Sequence, residues 1–264
     1  MTGPVLALPA WFTILLATLL GLIFGSFATA LSYRVPRNQS MGGRSRCPHC
    51  GRQLGITENV PLLGWILLRG RCKSCGRSIS IRYPITEAVT ALLFALAAWR
   101  FGFSMQTFVY AAFFFVLVVL TVIDLEHKLL PNRIVYPTFV TGWLALAITA
   151  LLGHDLHRLW DASVGALIFG GSFLVVGLLA PLGGGDIKLA FVLGTFLGFI
   201  GAPGVVLIGM FMSFLLGGVT GIGLRLFAGA TGKTEVPFGP FLAAGTATAV
   251  LFGPQLVDLY VGRL

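Results

Sequence analysis

The chain has 264 residues, of which 56% are hydrophobic and only 10% charged, and its mean hydropathy is +0.92. So apolar a composition excludes a water-soluble globular domain as a description of the whole chain and predicts an all-α polytopic membrane protein. The formal net charge of +9 does not point to nucleic acid, because ten of the eighteen Lys and Arg lie in one stretch, Arg34 to Arg82.

Apolar runs close to the ~20 residues that cross a bilayer recur from end to end. The first, Ala10 to Leu31, lacks the basic start of a signal peptide and reads as a retained span. The basic loop after it is expected on the cytoplasmic side, where it also meets anionic head groups. Seven further spans follow: Pro84 to Arg100, Thr107 to Ile123, Val135 to Leu152, Ala162 to Leu179, Ile187 to Ile200, Val205 to Phe227 and Phe241 to Leu259. About eight crossings put both termini outside, with fifteen basic residues, Lys233 among them, inside against Arg100, Arg158 and Arg263 outside. That is the asymmetry the positive-inside rule demands. The weakest crossing is Ile187 to Ile200, which is short and followed by Gly201-Ala202-Pro203-Gly204, so a re-entrant segment is its alternative. The organisation read from these runs is a first helix over 1–33, a cytoplasmic four-cysteine domain over 34–83, and a seven-helix transmembrane domain over 84–264. No internal repeat or low-complexity segment stands out.

Within the loop, Cys47-Pro-His-Cys50 and Cys72-Lys-Ser-Cys75 form two C-x-x-C turns, each followed by glycine, Gly51 and Gly76. Such a turn lets two thiolates bite one metal, and two turns complete a tetrahedral four-sulfur site of the structural zinc type. A reducing cytoplasm favours metal over two disulfides. Four sulfurs fill the coordination sphere, which leaves His49 outside it and no open position for a substrate.

Two acids sit where apolar runs meet water. Asp124 closes the third run, and Asp186 follows Gly183-Gly184-Gly185 and opens the sixth. Ionisable groups at membrane depth are costly to insert and mark sites, and a carboxyl pair can share a proton and hydrolyse a peptide bond through water. Asp186 also fits a plain role as the N-cap of a helix starting at Ile187. Asp124 is harder to explain structurally, because a negative charge at a helix C-terminus meets the negative end of the macrodipole. The three glycines would let a substrate backbone pass close to the acid. Glu126, His127 and Lys128 mark the water interface, and Glu87, just inside the second span, is a candidate pocket residue.

These residues resemble the bacterial type IV prepilin peptidases, membrane aspartic proteases of the G-x-G-D type. The likeness covers nearly the whole chain: Gly21-Leu-Ile-Phe-Gly25-Ser-Phe27, Arg34-Val-Pro36, the paired cysteine turns, Asn59-Val-Pro61, Leu68-Arg-Gly-Arg-Cys72, Arg82-Tyr-Pro84 with Glu87, Asp124 with Leu130-Pro131-Asn132, Gly183-Gly-Gly-Asp186-Ile-Lys188, and Pro237-Phe-Gly-Pro240. It implies that Asp124 and Asp186 are the catalytic pair and that Gly183, Gly184, Gly185, Lys188, Glu87, Phe238 and Gly239 contribute to the pocket. It also implies prepilin or pseudopilin substrates cut at the cytoplasmic face of the bacterial inner membrane, and N-methylation of the new terminus from S-adenosylmethionine. One departure is Asn132, where family members often carry an aspartate. The rival reading, a non-enzymatic membrane adaptor of a secretion or DNA-uptake assembly, explains the cysteines and the charge but leaves both aspartates idle.

Overall fold

A computed structural model describes residues 8–179, 182–227 and 236–262. Lys233 and Arg263, two residues of the charge count, lie outside them. The described residues are helical, with no strand beyond two isolated bridges. In chain order they form α1 (Ala10–Arg34), a single 3-10 turn (Thr57–Asn59), the short α2 (Leu63–Leu67), α3 (Arg82–Phe101), α4 (Met105–His127), α5 (Asn132–Leu152), α6 (His157–Leu179), α7 (Gly184–Gly201), α8 (Gly204–Phe227) and α9 (Gly239–Val261). All but the 3-10 turn and α2, eight in number, are long and apolar enough to cross a membrane. The protein is a polytopic, all-α membrane protein, as its composition requires.

Two compact units divide between Val122 and Ile123. In the first, α1 lies along α3 through a seam of small residues: Gly21, Gly25, Ala28 and Ser32 are buried at helical spacing. A Cβ on Gly21 would come within 2.6 Å of the Ala91 Cα, and one on Gly25 within 2.6 Å of the Glu87 Cα. Close backbone approach of this kind is how membrane helices gain packing without a hydrophobic drive between them.

The second unit is built around α7. Leu189 to Phe199 is almost continuously buried, which means that protein surrounds this helix on every side, with α6, α5, α8 and α9 all packing on it. Gly194 and Gly198 lie directly on Gly165 and on the Asp161–Ala162 backbone of α6. This placement fits the segment's shortness: a helix encased in protein need not have the length of one facing lipid. It is a single continuous helix of 18 residues, begun three residues earlier than expected, not a re-entrant turn.

Candidate active site and metal centre

Asp124 sits in the last turn of α4, which runs on to His127, and its side chain is only 5% exposed. Its Oδ2 accepts the amide of Gly239, the first residue of α9, at 2.9 Å. The expected conflict with the negative end of α4 is met from another helix. The Gly239 amide, the first of α9, presents that helix's positive end to the same carboxylate. Gly239 is required there, since a Cβ would fall 2.6 Å from Oδ2.

Phe238 holds this contact in register. Its ring packs among Phe173, Phe214 and Phe241, with centroids 6.2, 5.6 and 6.1 Å away, and lies over Gly217 of α8.

Asp186 lies inside the first turn of α7. It is not the N-cap, a place taken by Gly183, so that plain explanation of the acid falls. Its amide bonds to the Gly183 carbonyl at 3.0 Å. The carboxylate also turns toward Gly183, where a Cβ would lie 2.9 Å from Oδ2. The positive end of α7 therefore favours the acid where it stands. Within this unit the carboxylates of Asp124 and Asp186 are close enough to interact electrostatically.

The three glycines divide their labour differently from the expected open track. Gly183 makes room for the Asp186 carboxylate, Gly185 packs against Leu130 with 3.0 Å to an added Cβ, and only Gly184 faces open space. Lys188, two residues beyond Asp186, donates to Asn132 Oδ1 at 3.1 Å and lies 5.4 Å over the Tyr136 ring. The amide at position 132 thus keeps an acceptor for Lys188 without adding a charge. Glu87 lies in the first unit. Its buried carboxylate accepts the Leu62 amide at 2.7 Å and so ties the cysteine loop to α3.

In the loop the two turns prove to be one motif used twice, Arg-Cys-x-x-Cys-Gly-Arg at 46–52 and at 71–77. So short a repeat does not stand out in the sequence because it lacks apolar periodicity. In each copy the first Cys amide bonds to the second Arg carbonyl and the Gly amide to the first Cys carbonyl, with Gly51 and Gly76 at φ near +70°. An antiparallel bridge closes each turn, Arg46 with Gln53 and Arg71 with Ser78. The four thiols are unbridged and their sulfurs all lie within 4.8 Å of one another, Cys47 and Cys75 at 4.0 Å. A tetrahedral ion with Zn–S bonds of ~2.3 Å would set them about 3.8 Å apart, so the set fits with slight closure. The amides of Cys75 and then Ser74 hold the Cys72 thiol down to about 6, toward the thiolate a metal needs. His49 is exposed and outside the cluster. Glu58 braces the first turn through the Gly55 amide at 2.7 Å and Arg52 at 3.2 Å.

Two family models match the chain: the Bacterial Peptidase A24 N-terminal domain over residues 19–101 and the Type IV leader peptidase family over residues 111–222. Among curated proteins it is 34% identical to a prepilin leader peptidase/N-methyltransferase of Stutzerimonas stutzeri, across 94% of this chain and 93% of that one. It is 36% identical to the protein of the same name from Bacillus subtilis (strain 168), across 91% and 95%. Against the Pseudomonas aeruginosa protein of that name identity is 32%, across 94% and 93%. No solved structure matches. With both halves of the chain matched in order and relatives aligned end to end, the chain belongs to the type IV leader peptidase family.

Proposed function

We propose that this protein is a membrane aspartic endopeptidase that removes the leader of type IV prepilins or pseudopilins, with Asp124 and Asp186 as the catalytic pair. The carrying observation is the buried Asp124, held by the start of α9, within electrostatic reach of Asp186 at the start of α7. Two such carboxyls do not both ionise cheaply, so they share a proton. The ionised one takes a proton from water as the water attacks the scissile carbonyl. Its partner gives a proton to the carbonyl oxygen, and the tetrahedral intermediate collapses with protonation of the leaving amine. No covalent enzyme intermediate forms. Oδ2 of Asp124 already accepts from Gly239, which makes Oδ1 the freer oxygen for proton exchange. Gly184 offers the unobstructed side from which a peptide backbone can approach.

The second activity, methylation of the amino terminus that cleavage exposes, draws its methyl group from S-adenosylmethionine. Among the described residues there is no strand from which the strand–glycine turn–helix unit of dinucleotide binding could start. Zinc is the metal we assign to Cys47, Cys50, Cys72 and Cys75, as a closed structural ion that holds the 34–83 loop together. The charge asymmetry supports a cytoplasmic position, at the inner membrane, for this loop and both aspartates. Mass spectrometry of a pilin co-expressed with this protein tests the reading, since it reports leader loss and the added methyl together. A pilin still carrying its leader would refute it.

A further inference from the structure

The stretch Arg34 to Arg82 carries ten basic residues against one acid, Glu58, while the rest of the chain balances eight against eight, so this loop holds the whole net charge of +9. Yet it is not hydrophilic throughout. Along α2, Leu63, Ile66 and Leu67 are 56%, 58% and 73% exposed, at the spacing that gathers side chains on one helix face. The loop's own packing uses the other side. Gly64 is buried against the Glu58 carbonyl, and Trp65 lies on Gly70 while donating to the Ile79 carbonyl at 3.1 Å.

The height of α2 is fixed by a tether. Leu62 adopts φ 60°, ψ −54° and the Leu63 amide bonds to the Pro61 carbonyl at 2.6 Å, a tight γ-turn that a bulky residue keeps only when its surroundings enforce it. The enforcing contact is the bond from the Leu62 amide to Glu87. α3, long and apolar enough to cross a membrane, carries an exposed apolar stripe of Ile85, Val89 and Leu92, preceded at its N-cap by the exposed Ile81. Glu87 lies six residues further, about 9 Å deeper along the axis. Leu62 is thus held down beside the first turns of a span, with Arg69 and Arg71 exposed just beyond α2.

From this geometry we infer that α2 is an interfacial anchor: Leu63, Ile66 and Leu67 enter the boundary between acyl chains and head groups, and Arg69 and Arg71 engage the phosphates of anionic lipid. The partner is an anionic membrane surface, because apolar side chains at lipid depth flanked by uncompensated positive charge match its two layers. The inference is independent of the peptidase reading.

The test places the photo-crosslinker benzoylphenylalanine at Ile66, at Leu67 or, as a water-facing control, at Ser74, in full-length protein in nanodiscs of phosphatidylcholine with or without phosphatidylglycerol. Unchanged far-UV helicity and monodisperse elution certify each variant, and the two probe positions guard against one failing to fold. Lipid adducts are expected at 66 and 67 well above those at 74. Phosphatidylglycerol should be favoured by about fivefold per arginine, a preference lost in the Arg69→Gln/Arg71→Gln double variant. Adducts no more frequent than at 74 would overturn the inference, as would adducts to a second copy of the chain, or to an added pilin peptide, in place of lipid. A lipid preference unmoved by the double variant would remove the arginines from it.

Discussion

Asp124→Asn and Asp186→Asn should each abolish leader cleavage while leaving helicity intact, because the amide keeps the shape and loses the exchangeable proton. A mass-spectrometric cleavage assay reads this directly. Since the pair acts as a unit, the double variant should be no worse than either single one. Gly239→Ala probes the support of Asp124. The new Cβ would meet Oδ2 at 2.6 Å, so the carboxylate must give way, and a misplacement approaching about 1 Å costs on the order of a hundredfold in rate. Substrate binding should suffer much less, which separates kcat from KM. The two acids and four cysteines were legible in the sequence because each sits at a marked place, a run's edge or a spaced turn. The acceptor role of Asp124 was not, since its donor lies 115 residues away and no local pattern connects them. Nor could spacing distinguish Gly184, which is open, from its two neighbours, which are filled.

Among the elements, the long helices were legible and the short one was not. α2 has five residues, too few for periodicity, and rests on the tether from Leu62 to Glu87. Glu87→Ala would leave that amide without its acceptor and should cost about 1–3 kcal/mol, visible as a lowered Tm, whereas Glu87→Gln keeps an acceptor oxygen and should cost less. The cysteine loop also carries a pH signature. The Gly55 amide, and after it the charge of Arg52, hold the Glu58 carboxyl below its ordinary 4.5. A depressed carboxyl stabilises the fold above its unfolded value and loses that stabilisation as the pH falls through the folded one. Amide-exchange protection over 52–58 should therefore decline as the pH drops below 4.5, and Glu58→Gln should remove that part of the decline. Loss of metal in acid, from thiol protonation, would remain in both proteins and serves as the internal reference.

For the whole molecule, the charge asymmetry predicts both termini outside. A carboxy-terminal alkaline phosphatase fusion should be active and the same fusion placed in the cysteine loop inactive; the opposite pattern would break the assigned orientation. The crossing number was legible from hydropathy, but the rank of the helices was not, because the segment that reads as the weakest crossing, being short and followed by a helix break, is the one around which its unit is built. That centrality has a mechanical meaning. Helices separated by long side chains can slide as rotamers change, but α7 meets α6 backbone to backbone at Gly165, Gly194 and Gly198, where there is no such slack. The middle of α7 therefore moves only if α6 moves with it, and Asp186 stands at the end of that fixed helix. On the proposed assignment, one acid of the pair thus rides on a helix whose place is set when the chain folds, which leaves adaptation to the peptide.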